Sequence, residues 1–256
     1  MLIDYIVADP TGNITVLVTS EVASEKRKEV VLQMFRDVPT CEQVGFIAPV
    51  SRGRIRLEMM GGEFCGNATI SAAAYQASLD DVDAARIIVE SSGVPDPVEV
   101  SVKRNAGSDS YVGTLEMSMP AMTYYDYNCG DGSTIKLPVV HLEGISHMLI
   151  PQALLSDEAM TSEIKAIAAN FDSPAFGMLK YGKTSDGINI RPLVYVAGSD
   201  TLVWENGCAS GSMAVAYFNY LENDSPVNHI SQPGGVITIE FRDGRLFLTG
   251  NVTLKK

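Results

Sequence analysis

The chain has 256 residues, 46% of them apolar and 20% charged, which suits two domains of about 120 residues or one large one and excludes disordered, collagen-like and coiled-coil architectures. Nineteen basic against thirty-one acidic residues give a formal charge of −12, which argues against nucleic acid or an anionic membrane as the main partner. No run approaches the ~18 apolar residues of a membrane helix. Met1-Leu2-Ile3-Asp4-Tyr5 sets no basic residues ahead of an apolar core, so a soluble, cytoplasmic chain is expected.

In chain order, Leu2–Ala8 and Ile14–Thr19 read as strands separated by the turn formers Asp9-Pro10-Thr11-Gly12-Asn13. Ser24–Arg36 reads as a helix capped by Ser24, with Val30, Val31, Met34 and Phe35 on one face and Lys26-Arg27-Lys28 on a solvated one. Arg54–Met60 alternates apolar and charged residues as a half-buried strand does. Gly61-Gly62-Glu63-Phe64-Cys65-Gly66-Asn67 then leads into Ala68–Leu79, a helix without charge. Strands follow at Arg86–Ser91, Pro97–Arg104 and Tyr111–Met117, and Pro120 closes this half. The stretch from Met119 to Ser133, with Pro120, three tyrosines and Gly130-Asp131-Gly132, reads as the boundary between domains 1–120 and 121–256. The second half predicts strands at Ile135–Leu142 and His147–Ile150, a helix at Ser156–Ala169, and strands at Ala175–Lys180, Asn189–Val196 and Thr201–Glu205. Asn206-Gly207-Cys208-Ala209-Ser210-Gly211 opens a second uncharged helix, Ser212–Leu221, and strands at Gly235–Phe241 and Arg245–Leu254 finish the chain.

The halves match at one place. With Cys65 set over Cys208, Gly66 lies over Ala209, Asn67 over Ser210, Thr69 over Ser212 and Ala73 over Ala216, an offset of 143 residues. Two copies of a β-rich unit, each wrapped around an apolar helix, are expected, because a helix with no polar face belongs in the interior. The other cysteines, Cys41 and Cys129, and the histidines, His141, His147 and His229, show no metal-type spacing.

A helix N-terminus carries unpaired N–H groups and partial positive charge, which binds carboxylates and lowers thiol pKa. Small residues beside each cysteine let an anion approach the backbone. Free cysteine is often a small buried hydrophobe, but two cysteines placed alike before helices have a chemical use. Inverting a stereocentre needs a base on one face of the carbon and an acid on the other, and a thiolate and a thiol supply both.

Glu63-Phe64-Cys65-Gly66-Asn67-Ala68-Thr69 and Glu205-Asn206-Gly207-Cys208-Ala209-Ser210-Gly211-Ser212 resemble the two catalytic segments of cofactor-independent, two-cysteine amino-acid racemases and epimerases, the diaminopimelate epimerase-like family. Thr11-Gly12-Asn13, Gln232-Pro233-Gly234-Gly235, Thr249-Gly250 and Ile145-Ser146-His147 extend the likeness from about residue 9 to 250. With Cys41-Glu42-Gln43-Val44-Gly45-Phe46-Ile47 and Trp204-Glu205-Asn206, it is strongest to histidine racemases, including those that supply D-histidine for metallophore biosynthesis.

The resemblance implies an α/β (α+β) fold of two similar domains, each a mainly antiparallel barrel-like sheet around a central helix, with the active site between them. It implies an isomerase acting without cofactor or metal on a free amino acid, and a homodimer. Carried over to this sequence, Cys65 and Cys208 are catalytic. Asn13, Glu42, Gln43, Gly66, Asn67, His147, Ala209 and Ser210 bind substrate, with Glu42 as partner for a cationic imidazolium or ammonium.

Two departures from the family pattern matter. Asn206 stands where diaminopimelate epimerases carry an arginine for the distal carboxylate, which disfavours that substrate. Ala209 replaces a common glycine, a strain if the position needs positive φ. A phenazine-biosynthesis-type isomerase lacks the second cysteine, so Cys208 argues against it, and a non-catalytic binding protein would have let one cysteine decay. Cys41 and Cys129 have no task in the reaction, and Trp204 reads as packing. If the two catalytic thiols face each other, oxidation would join Cys65 to Cys208 in an inactivating disulfide.

Overall fold

The structure is a computed structural model that describes residues 2–185, 187–198 and 200–255, and Met1 of the N-terminal reading lies outside them. Its elements run β1 (Tyr5–Pro10), β2 (Thr15–Val18), a 3-10 turn (Ser24–Lys26), α1 (Arg27–Asp37), β3 (Gln43–Ser51), β4 (Arg54–Met59), α2 (Gly66–Leu79), β5 (Ala84–Ser91), β6 (Val98–Arg104) and β7 (Ser110–Met117). Then follow β8 (Ala121–Asn128), β9 (Thr134–Leu142), β10 (Ile145–Pro151), α3 (Asp157–Ala168), β11 (Ala175–Thr184), β12 (Gly187–Val196), β13 (Thr201–Trp204), α4 (Ala209–Asn223), β14 (Val227–Gln232), β15 (Gly235–Arg242) and β16 (Arg245–Lys255).

Two compact units divide the chain: Met1–Glu116 with Phe247–Lys256, and Met117–Leu246. In the first unit, neighbouring strands follow the order β1 to β7, then β16, and β16 pairs antiparallel with β1 to close an eight-stranded barrel. Two pairs are parallel, β2 with β3 and β4 with β5, and each is connected through a helix, as a parallel crossover requires. Helix α2 packs against β1 to β6 and buries eleven of its fourteen residues. No residue of it carries charge, so it has no face to offer to water. Its Ile70 fits against Gly113 of β7, where a Cβ would come within 2.4 Å of the Ile70 methyl carbon. The amphipathic α1 sends Val30 and Met34 into a separate cluster with Val16, Val18, Val44 and Phe46.

The second unit is a mixed sheet in the order β15-β14-β12-β11-β10-β9-β8, with β13 paired to β12. Parallel pairs recur as β10 with β11 and β12 with β14. The sequence of β1-β2-α1-β3-β4-α2-β5-β6 is thus repeated as β9-β10-α3-β11-β12-α4-β14-β15, with β13 inserted. Helix α4 packs against β9, β10, β11, β12, β14 and β15, while α3 sends Met160, Ile164 and Ile167 into the cluster around Met148, Phe176 and Met178.

Several expectations shift. Ser24 lies within the 3-10 turn and caps nothing; Lys26 precedes α1. The tyrosine-rich stretch read as a boundary contains β8, whose tyrosines suit a strand. β3 and β14 were not foreseen as strands, and the uncharged helices begin earlier, right after each cysteine. The segment Phe247–Lys256 groups with the first unit, where β16 pairs with β1, rather than with the rest of 121–256.

Candidate active site

Cys65 stands at the N-cap of α2 in extended conformation (φ −134°, ψ 113°), and Cys208 stands likewise at the N-cap of α4 (φ −118°, ψ 106°). The local hydrogen bonds repeat as well. The Thr69 hydroxyl donates to the Cys65 carbonyl at 2.8 Å, and the Ser212 hydroxyl donates to the Cys208 carbonyl at 2.8 Å. The small residues after each cysteine sit in the first turn, where free N–H groups and the helix dipole favour an anion. Ala209 opens α4 as an ordinary helical residue and is not among the described residues with positive φ, so the glycine it replaces was not needed for backbone conformation.

In the first unit one polar network gathers four of the expected binding residues around the start of α2. The turn after β1 is held by the Asp9 carboxylate, which accepts the Gly12 N–H at 2.9 Å, and it delivers Asn13. The Thr15 hydroxyl donates to the Asn13 carbonyl at 3.0 Å, so its oxygen is left to accept from the Gln43 amide nitrogen at 2.7 Å. That nitrogen also donates to Asn13 Oδ1 at 2.6 Å, as does the Asn67 amide at 3.2 Å. Asn13 must then turn its own nitrogen outward, and it donates to Glu42 Oε2 at 2.7 Å. The chain runs from a carbonyl that can only accept to a carboxylate that can only accept when ionised, which fixes every amide in between. Asn13, Gln43 and Asn67 are buried; the Gln43 amide nitrogen is committed to Asn13 and Thr15.

In the second unit Cys208 is buried and surrounded by polar groups. Its Sγ lies 3.4 Å from the Ser210 hydroxyl and accepts the Gly211 N–H at 3.3 Å. Ser210 lies in turn 2.9 Å from His147 Nε2. Burial, then the charge and hydrogen bond of Glu205, push the Cys208 thiol well above its ordinary pKa, against smaller opposing pulls from Ser210 and the Gly211 N–H. His147 is fully buried and neutral; desolvation pushes its pKa down to about 3. It is directly opposite Gly177 in the parallel β10–β11 pair, and a Cβ at Gly177 would collide with the imidazole. His147 therefore reaches the thiol through Ser210.

Cys41 donates its thiol to the Gln43 carbonyl at 3.0 Å, Cys129 packs on the α3 cluster, and Trp204 lies under the Arg191 guanidinium at 4.5 Å; all three have structural surroundings. Among the described residues no group of three His, Cys, Asp or Glu is placed to hold a metal ion. Sequence reasoning assigned no role to Thr15, Thr69, Gly177, Ser212 or Gln232, although the 143-residue offset paired Thr69 with Ser212. Gln232 accepts the Cys208 N–H at 2.6 Å.

A family model described as the histidine racemase CntK N-terminal domain matches residues 2–249. A histidine racemase of Fusobacterium nucleatum subsp. nucleatum is 26% identical over 99% of this chain and 95% of its own length. One from Staphylococcus aureus is 27% identical over 93% of this chain and 88% of its own. Among solved structures, a probable proline racemase from Agrobacterium radiobacter K84 has a TM-score of 0.70 at 12% identity, over 100% of this chain and 92% of that one. A PhzF-family phenazine biosynthesis protein from Enterococcus faecalis has a TM-score of 0.66 at 13% identity, over 100% of this chain and 98% of that one. These two likenesses are of fold.

Proposed function

We propose, since the chain belongs to the family of the histidine racemase CntK N-terminal domain and is an isomerase, that it racemises free histidine with Cys65 and Cys208 as the two acid–base groups. The duplicated N-cap geometry carries the mechanistic half of this reading: each unit offers a cysteine at the start of a buried helix, with its carbonyl held by a hydroxyl four residues on.

Burial and Glu205 favour the neutral thiol at Cys208, so in this reading Cys208 starts as the acid of the pair. Cys65 is then the thiolate. It takes the α-proton from one face of the substrate, and the electron pair left on Cα is delocalised into the carboxylate. Cys208 delivers its proton to the opposite face, so the reaction ends with Cys65 as thiol and Cys208 as thiolate. The opposite enantiomer is bound by this second form and runs the steps in reverse. The helix N-termini, with Gly66, Asn67, Ala209 and Ser210, stabilise the negative charge that builds on the carboxylate.

The Glu42 carboxylate, fixed by Asn13, takes the cationic or N–H donor end of the substrate. Histidine supplies such a group in its imidazole. The enzyme acts in the cytoplasm as a homodimer and supplies D-histidine for metallophore biosynthesis. Incubation of reduced protein with L-histidine in D₂O tests the activity, by loss of the Cα proton signal and by product chirality. Cys65→Ser and Cys208→Ser are each expected to lower the rate by about 100-fold or more. A rate kept by either variant would remove that thiol from the mechanism.

A further inference from the structure

We infer that Gln232 is a positioning residue for Cys208, holding the peptide groups on both sides of its Cα through a ring of hydrogen bonds with a single possible polarity; this rests on the proposal that Cys208 carries the proton. The Cys208 N–H donates to Gln232 Oε1 at 2.6 Å, Gln232 Nε2 donates to Ser212 Oγ at 2.9 Å, and Ser212 Oγ donates to the Cys208 carbonyl at 2.8 Å. A carbonyl can only accept, so the Ser212 proton is committed to it. The Ser212 lone pair then needs a donor, which turns the Gln232 nitrogen toward it and leaves the amide oxygen for the Cys208 N–H. Gln232 is 9% exposed and ends β14. The turn that follows is pinned to the stretch before Cys208 by the Gly234 N–H on the Asn206 carbonyl at 2.8 Å. A side chain from a neighbouring strand thereby sets the orientation of the cysteine Cα–Cβ bond.

The same ring makes the role testable through protonation. In Gln232→Glu a protonated carboxyl does what the amide does: its carbonyl accepts the Cys208 N–H and its hydroxyl donates to Ser212. An ionised carboxylate has no proton to give Ser212 and puts charge beside the thiol. The titratable groups that face Cys208 are Glu205, before α4, and His147, which reaches it through Ser210. Both are present in native enzyme, whose profile records their own titration, and Gln232→Met, which adds no charge, separates lost positioning from the charge of the ionised carboxylate in Gln232→Glu.

The experiment measures kcat and KM for histidine from about pH 5.5 to about pH 8.5 for native full-length chain, Gln232→Glu, Gln232→Met and Cys208→Ser, with a thermal melt of each. Gln232→Met is expected to lower kcat about tenfold or more at every pH with KM within about threefold. Gln232→Glu is expected within about threefold of native at the acid end, falling by about tenfold or more relative to native as pH rises. A Gln232→Glu to native ratio that stays constant with pH, or a Gln232→Met enzyme with native kcat, would overturn the inference. If Gln232→Met does not fold, Ser212→Ala decides, since it removes the partner of the amide nitrogen; an unchanged kcat there also overturns it. Native-rate racemisation by Cys208→Ser would instead sink the two-thiol proposal, whatever the Gln232 variants do.

Discussion

At the scale of single residues, the two cysteines are set apart by surroundings that a sequence only partly discloses. Their shared position before a helix was legible from the small residues that follow and from the repeat offset. The depth of Cys208 was not, because it depends on strands far away in the chain. Glu42→Gln keeps an acceptor for Asn13 but removes the charge. It is expected to raise KM for histidine by about tenfold or more with kcat nearly unchanged, the size of one charge-assisted hydrogen bond. Steady-state kinetics with histidine check this; an unchanged KM would remove Glu42 from substrate binding. Gly177→Ala forces a methyl group onto the imidazole of His147 and is expected to cost about 1–3 kcal/mol of stability, read by chemical denaturation. His147 itself gives a pH signature. Its folded pKa is about 3, below that of the unfolded chain, so the unfolded state binds the extra proton between the two values. Stability is therefore complete above about pH 6.5 and falls as pH drops, by up to about 1.4 kcal/mol per unit for this one group. Denaturation midpoints of native and His147→Gln proteins should converge as pH falls; parallel curves would contradict a buried neutral imidazole.

At the scale of elements, the helices were the most readable parts. The uncharged sequences of α2 and α4 demand burial wherever they are placed, and α3 carries its own start signal. Ser156 accepts the Ala159 N–H at 3.1 Å, and Ser156→Ala is expected to cost about 1 kcal/mol, checked by thermal melting. Ser24 offered the same signal in the sequence and does not cap, because the chain enters α1 through a 3-10 turn. Strands were less legible where tertiary pairing decides them. β8 lies between Pro120 and Gly130, residues that read as boundary punctuation, and its strand character comes from its pairing with β9. β14 is short and half polar, and it is a strand because β15 and β12 flank it. Gln232, at its end, could be recognised as part of a motif but not as a partner of Cys208, since the bond crosses 24 residues of sequence.

At the scale of the whole molecule, the repeat of strand order around a buried helix was visible in outline from the 143-residue offset, and the return of β16 to the first unit was not. Periodicity marks Arg245–Leu254 as a strand but does not say which strand receives it. Deleting residues 247–256 removes the strand that bonds to β1 and leaves both β1 and β7 with an open edge. The truncated chain is expected to lose cooperative unfolding, measured by calorimetry, whereas removal of a dispensable tail would leave it intact. The central claim is chemical: a member of the histidine racemase family moves the α-proton of its substrate with two thiols. The most direct measurement follows reduced protein with L-histidine in D₂O by proton NMR and chiral chromatography, beside Cys65→Ser and Cys208→Ser. Loss of the Cα proton with formation of D-histidine, abolished in both variants, is the predicted result. Persistent racemisation in either variant, or no exchange of histidine by the native enzyme, would contradict it.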